Sequence, residues 1–407
     1  MYRHRNSRYT WTGLIILLLL LFSACAGNPE PSGSPKRSNT PVNNTPINNT
    51  PVNNSAFATA FPPQTPLVCS GTDAGAKNAS FVQAAKTKFV YQGKELRFYG
   101  HTFYPVLIGG ASAWRQTNFT HYIDQVLDMG AQAGQNLIRP TDFWDKNYQD
   151  QQQQDITIWQ NMDYLVCAAA QRGVFVILDV SAFAWFLISQ GDDRYNITEW
   201  KAFLDAVGKH YTYQSSIAFY SIVGEPDPPT TVDDMNRLVN FYRVLTDELH
   251  KADGGHHLIT AGGFNHMGDE TPQVPWWHQI YSLPNNNIAS FKTYSQTDLD
   301  LIDPIASFAN EIGKPAIDEE FGGPQNMGDD TYSGTEYNGL ATGRAQFYDD
   351  VYTRGETNGV AGFIFWNLGC EINPDGYEVS PVTTPGVWRV IQKHAPNKPD
   401  LTKHVSC

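Results

Sequence analysis

Basic residues are scarce in this chain. Lys and Arg number 28 against 41 Asp and Glu, a formal net charge of −13 over 407 residues. That balance argues against a nucleic-acid partner, because little here would release counterions from phosphates. Charge of either sign is low as well, at 17%. Cysteine is rare, at five, and no spacing of Cys and His resembles a zinc site. There is no G-x-G-x-x-G loop, the closest approach being Gly109-Gly110 in "FYPVLIGGAS", and no G-x-S-x-G elbow. No cofactor fingerprint is present, and the expectation is an activity without metal or cofactor. Long apolar runs are missing except for one at the N-terminus. Aromatic residues, in contrast, are plentiful at 13%. Most such rings belong in a core, though a flat-ring ligand such as a sugar also requires them.

The exceptional apolar run is "GLIILLLLLF", preceded by Arg3, Arg5 and Arg8. A positive start and a short apolar stretch make a targeting segment rather than a comfortable membrane span. "FSACAGN" follows, and Cys25 after two small residues resembles a bacterial lipoprotein signal over residues 1–25, with Phe22 where leucine is usual. The same residues also read as an Ala-x-Ala site for ordinary secretion, and an uncleaved anchor is the third option. Residues 26–68 contain "NTPVNNTPINNTPVNNS", a five-residue repeat too polar to bury a core, which reads as a flexible spacer. The expected location is therefore the outer face of a bacterial cell membrane, reached only through a lipid on Cys25, or else free secretion.

Export permits disulfides. Cys69 opens the folded region and Cys407 ends it, which predicts a bridge between the two. Cys167 lies in "MDYLVCAAAQRG", a helical pattern, and reads as a buried thiol. Cys370 stays open.

From residue 80 the pattern is regular. "KFVYQGKELRFYG" predicts a hairpin turning at Gln92-Gly93-Lys94. Eight apolar runs follow, at 96–104, 136–143, 174–180, 217–225, 257–263, 288–295, 315–321 and 360–368, with amphipathic stretches between most of them. Strand and helix alternating eight times predict a (β/α)8 TIM barrel over 69–407. In such a barrel function sits at the C-terminal strand ends. Those ends carry His101 and Tyr104, Arg139 with Asp142 and Trp144, Asp179, Glu225, Asn265 with His266, Tyr294, Glu320 and Trp366.

Glu225 ends the fourth run, before a proline, and Glu320 ends the seventh. Carboxylates on strand ends that face each other can flank one bond. Glycoside hydrolysis needs such a pair, one carboxyl protonated to serve the leaving oxygen and one ionised to meet the anomeric carbon. "GQNLIRP", "VGEP", "FKTY", "KPAIDEEFGG" and "GFIFWN" then make the chain, from 80 to about 395, resemble the clan A retaining β-glycosidases. The nearest is glycoside hydrolase family 5, the cellulase and mannanase family. The resemblance implies Glu225 as acid/base, Glu320 as nucleophile, Arg139 and Tyr294 on the nucleophile, and Trp366 as a sugar platform. Trp144 and His101 complete the candidate substrate-binding set. Strand alternation turns Glu319 away from Glu320 toward the rim and places Asp318 beneath Glu320, where Arg139 or Lys292 would supply a cation. Trp114, Trp185, Trp276 and Trp277 are further candidate sugar subsites.

Two residues depart from the family pattern. Gly224 replaces the asparagine before the acid/base, a residue implied to reach the sugar 2-hydroxyl. Lys292 replaces a histidine. Either another side chain makes the lost contact, in which case glycine is no deficit, or the branch takes an unusual substrate, or it is weak. If the loss limits the enzyme, Gly224→Asn should raise activity. The expectation is a monomeric hydrolase of β-linked glucan or mannan; the rival is a non-catalytic carbohydrate-binding lipoprotein on a degenerate barrel. Glucan against mannan, endo against exo action, and hydrolysis against transglycosylation stay open.

Overall fold

The computed structural model describes residues 65–70, 79–105, 110–142, 156–189, 191–369, 376–398 and 400. The signal segment, Cys25, most of the spacer, Trp144, Cys370 and Cys407 lie outside these residues.

A small antiparallel sheet comes first: β1 (Gln83–Ala85), β2 (Lys88–Tyr91) and β3 (Lys94–Leu96). The expected turn joins β2 to β3, with Gln92 and Gly93 at φ of 50° and 75°. Two consecutive positive φ values match the right-handed twist of a hairpin. Phe89 points from this sheet into the barrel base, its ring 4.9 Å from that of Phe98 and 6.1 Å from that of Phe219.

Eight parallel strands follow, one in each predicted apolar run: β4 (Phe98–Phe103), β5 (Leu137–Pro140), β6 (Phe175–Asp179), β7 (Ile217–Ser221), β8 (Leu258–Thr260), β9 (Ala289–Thr293), β10 (Ala316–Phe321) and β11 (Gly362–Phe365). Their order is β8-β7-β6-β5-β4-β11-β10-β9. The remaining seam, between β8 and β9, is joined past the end of β8. Phe264 N donates to Ser290 O at 3.3 Å and Lys292 N to Phe264 O at 3.0 Å. The result is a (β/α)8 barrel.

Each barrel strand is followed by helix: α1 (Phe119–Gln132), α2 (Ile156–Gln171), α3 (Ala182–Ser189) with α4 (Ile197–Tyr211), α5 (Val232–Asp253), α6 (Trp276–Tyr281), α7 (Gln296–Glu311), α8 (Arg344–Thr357) and α9 (Pro385–His394). Local chemistry sets the ends of α5. Thr231 caps its first turn through Asp234 N, and Gly254 leaves it at φ 73°. Alternation along the strands divides the apolar residues in two. Phe98, Leu137, Ile177, Phe219, Ile317 and Ile364 fill the barrel, and a larger set packs between barrel and helices.

Two expectations are corrected here. Cys69 pairs with Cys167, not with Cys407. The segment carrying Cys69 runs along the base of the barrel, where Leu67 N donates to His210 O at 2.8 Å, and this brings it to α2. Cys167 is therefore a bridged sulfur and not a buried thiol. His101 is also misplaced by the sequence reading. It sits one residue before Thr102, and Thr102 is the residue in register with the inward Arg139. His101 therefore faces the helices, 1% exposed, with Nδ1 2.5 Å from Gln135 Oε1 and its ring against Gly130 of α1. It does not reach the barrel mouth.

Candidate active site

The β7–β8 pairing continues past the strand proper: Ile222, Val223 and Glu225 donate to the carbonyls of Thr260, Ala261 and Gly263 at 3.1, 2.7 and 3.1 Å. Pro226 then ends the run. Glu225 takes φ of 52°, an uncommon conformation for a residue with a side chain. Its carboxyl emerges half exposed, at 50%.

β10 carries three consecutive acids, and a bulge there changes the predicted alternation. The pairing with β9 shifts between Asp318 and Glu320, so that Asp318 lies opposite Phe291 and Glu320 opposite Lys292. One extra residue lets two successive side chains face the same way. Asp318 accordingly points out toward the helices and accepts from Thr293 Oγ1 at 2.7 Å. Glu319 points inward, fully buried, and accepts from Ser221 Oγ at 2.5 Å. Glu320 points inward above it. Glu319 is thus not a rim charge, and Asp318 does not lie beneath Glu320; Asp318 has a threonine hydroxyl where a cation was expected.

Three donors converge on Glu320. Arg139 Nη1 is 2.5 Å and Lys292 Nζ 2.9 Å from Oε2, and Tyr294 OH donates to Oε1 at 2.8 Å. Burial opposes the charge of Glu320, but Lys292 and Arg139 outweigh it and hold the carboxyl down at about 2. The neighbouring acids go the other way. Burial pushes Asp318 well up and Glu319 up, the latter against the pull of Arg139. Arg139 is oriented from behind by Asp179, whose Oδ2 lies 2.9 Å from Nε and 2.6 Å from Nη2, and Glu319 lies 3.4 Å from Nε.

Lys292 Nζ reaches Glu225 Oε1 at 3.0 Å as well as Glu320 Oε2 at 2.9 Å. Laid end to end these distances place the two oxygens no more than about 5.9 Å apart. One carboxyl is buried among cations and the other half open to solvent, with the Lys292 ammonium between them.

The family model described as cellulase (glycosyl hydrolase family 5) matches residues 93–367. The chain belongs to glycoside hydrolase family 5. It is an O-glycosyl hydrolase. Solved structures share its fold at low identity. The endo-1,4-β-D-mannanase of Thermotoga petrophila is 17% identical, covering 74% of this chain and 99% of its own, with a TM-score of 0.57. The endo-1,4-β-mannanase of Rhizomucor miehei is also 17% identical, covering 78% and 98%, with a TM-score of 0.59. A family 5 mannosidase from the same fungus is 13% identical over 77% and 96%, with a TM-score of 0.56. No similarity to a curated protein was found.

In this family 5 barrel Glu225, Glu320, Arg139 and Tyr294 come together at one end. Trp366 lies half-buried just past β11, its ring 4.8 Å from that of Tyr104. Trp114, Trp276 and Trp277 are core residues and not sugar subsites, with the indole NH of Trp114 given to Thr141 O and that of Trp277 to Met267 O. Trp185 is 51% exposed, with the Arg194 guanidinium 5.8 Å from its ring centre. The sequence reading missed the full circle around Arg139. Asp179 was visible as a strand end, but the inward aim of Glu319 was not, because only the bulge lets it share a face with Glu320.

Proposed function

We propose that this hydrolase is a retaining β-glycosidase acting on β-1,4-linked glucan or mannan, with Glu320 as nucleophile and Glu225 as acid/base. The observation that carries the reading is the ammonium shared by both carboxyls. Its bound of about 5.9 Å on the two facing oxygens favours the roughly 5–5.5 Å carboxyl spacing of direct attack over the roughly 6.5–9.5 Å that leaves room for a water. The division of labour follows from the surroundings. Glu320 is ionised and aimed by Arg139 and Tyr294, while Glu225 is open to the leaving group and to water. In the first half-reaction Glu320 bonds to the anomeric carbon, the glycosidic C–O bond breaks, and the leaving oxygen takes the proton of Glu225. In the second, water attacks that carbon, its proton passes to Glu225, and the ester with Glu320 breaks. Several solved proteins with this fold carry the names mannanase or mannosidase, so β-mannan is the first polymer to test. Trp366 is proposed as the platform under the reacting sugar.

Glu320→Ala should abolish turnover. Glu225→Ala should lose roughly 10²–10⁴-fold on an ordinary leaving group and much less on dinitrophenol. Azide should rescue the Glu225 variant and give a β-glycosyl azide. Products of inverted anomeric configuration by NMR would remove the retaining mechanism. The export reading is also a proposal: radiolabelled palmitate should enter the wild-type chain in a bacterial host and not Cys25→Ser.

A further inference from the structure

Lys292 is 7% exposed, and its stem lies against two glycines that end neighbouring strands. A Cβ on Gly263 would stand 3.2 Å from Lys292 Cγ and 3.3 Å from Cε; one on Gly224 would stand 3.8 Å from Cε and 3.1 Å from Gly263 O. At Gly263 both distances, and the 3.1 Å to Glu319 Cβ, are tighter than ordinary contact; at Gly224 the tight neighbour is Gly263 O, and any longer side chain there starts in contact with the stem. The lysine backbone NH donates to Phe264 O at 3.0 Å, which fixes where the stem begins. The charged groups facing the ammonium are Glu225 after β7, Glu320 and Glu319 on β10, and Arg139 on β5; Tyr294 follows on its own strand.

We propose that Lys292 is a positioning residue that keeps one positive charge between the two glutamates throughout the reaction, and that Gly224 and Gly263 are the space its stem requires. This rests on the retaining reading above. With substrate bound, Glu320 is the carboxylate and Glu225 holds the proton. Once the ester forms, Glu320 has no charge and Glu225, having given its proton to the leaving oxygen, carries it. The negative charge has crossed the cleft. Lys292 already touches both oxygens, so it stays paired at each stage without moving. Arg139 cannot serve in this way, because its contacts are to Asp179, Glu319 and Glu320. Gly224 then belongs to a rebuilt pair and is not a deficit, and Gly224→Asn should lower activity where the sequence alone suggested a gain.

The test uses the full chain and an aryl β-cellobioside or β-mannobioside with a dinitrophenol leaving group, whichever the wild type accepts. Lys292→Met should slow breakdown of the glycosyl-enzyme by roughly 10²-fold or more, and its formation by less. A burst of dinitrophenol should therefore appear, with the covalent intermediate visible by intact-mass spectrometry. Lys292→Arg should stay within about tenfold of wild type. Gly224→Asn should reproduce the burst, and the Gly224→Asn/Lys292→Met pair should be no worse than Lys292→Met. If Lys292→Met does not fold, Lys292→Arg and Gly224→Asn decide by the same readings. An active, retaining wild type whose Lys292→Met or Gly224→Asn variant slows both steps equally, or whose two changes add in full, overturns the proposal alone. A wild type that releases no sugar from any β-glycoside overturns the retaining reading and this proposal with it.

Discussion

Three adjacent carboxyls on β10 have three different chemistries, and their partners account for all three. Glu320 meets two cations and a phenol, and is held ionised. Glu319 meets one more distant guanidinium, a serine hydroxyl and the field of Lys292, and Asp318 a threonine hydroxyl and the backbone NH of Glu320, with no cation, so burial prevails at both. The same reasoning applies to His101, on the helix-facing side of β4. Its Nδ1 is satisfied by Gln135, its Nε2 is buried with no hydrogen-bond partner among the described residues, and burial takes its pKa down to about 4. The sign follows from proton counting. Between about 6.5 and 4 the unfolded chain binds a proton that the folded chain refuses. This residue's contribution to stability is therefore whole above pH 6.5 and falls as the pH drops through that window, by on the order of 3 kcal/mol in total. His101→Leu should flatten the fall in Tm between pH 7 and pH 5 relative to wild type. Parallel Tm-against-pH lines for the two proteins would show that the ring takes its proton in the folded state without penalty.

At the level of elements, the bulge in β10 is what makes the site. A regular strand would aim either Glu319 or Glu320 inward; the bulge aims both, and stacks Glu319 under Arg139 while leaving Glu320 at the cleft. Glu319→Gln keeps the shape and the serine hydrogen bond, so its kcat/KM should stay within about tenfold of wild type, whereas Glu320→Gln should be inactive. Equal loss in the two variants would leave the nucleophile unassigned between them. The barrel strands themselves were legible, since an apolar run of five or so residues in each repeat is a strong and redundant signal. The placement of Glu225 and Glu320 was legible for the same reason, being tied to where those runs stop. Facing was legible only where period two holds. It failed at His101, where the strand end was counted correctly but the register was one residue off, and at Glu319 and Asp318, where an extra residue resets the count. Three of the tryptophans assigned to loops, Trp114, Trp276 and Trp277, failed for another reason. An indole is equally suited to a core and to a sugar, and only the neighbours of Trp114, Trp276 and Trp277 show that they are packed.

At the scale of the whole described molecule, the barrel has two ends with separate duties. The C-terminal mouth holds the carboxyls, while the base is closed by the β1–β3 sheet and by the segment that carries Cys69. That segment is tied down by Leu67 on His210 O, by a 2.8 Å contact between His210 Nδ1 and Thr65 O, and by the bond from Cys69 to Cys167 on α2. The bridge spans 98 residues of sequence, from before the first sheet to the second barrel repeat. Closing a loop of that length restricts the unfolded chain by about 4–5 kcal/mol in the chain-entropy view, with measured values often lower. None of these contacts touches Glu225, Glu320 or Lys292. The double variant Cys69→Ser/Cys167→Ser should therefore melt several degrees lower than wild type, while kcat at 25 °C stays within about twofold. Scanning calorimetry with and without reductant reads the first, and initial rates on the same samples read the second. A Tm indifferent to both the mutations and the reductant would mean that the bridge adds nothing to the fold. A non-reduced peptide map without a linked Cys69–Cys167 peptide would remove the bridge from the fold. A fall in kcat to match the fall in Tm would mean that base and mouth are coupled, and the separation of duties would be wrong.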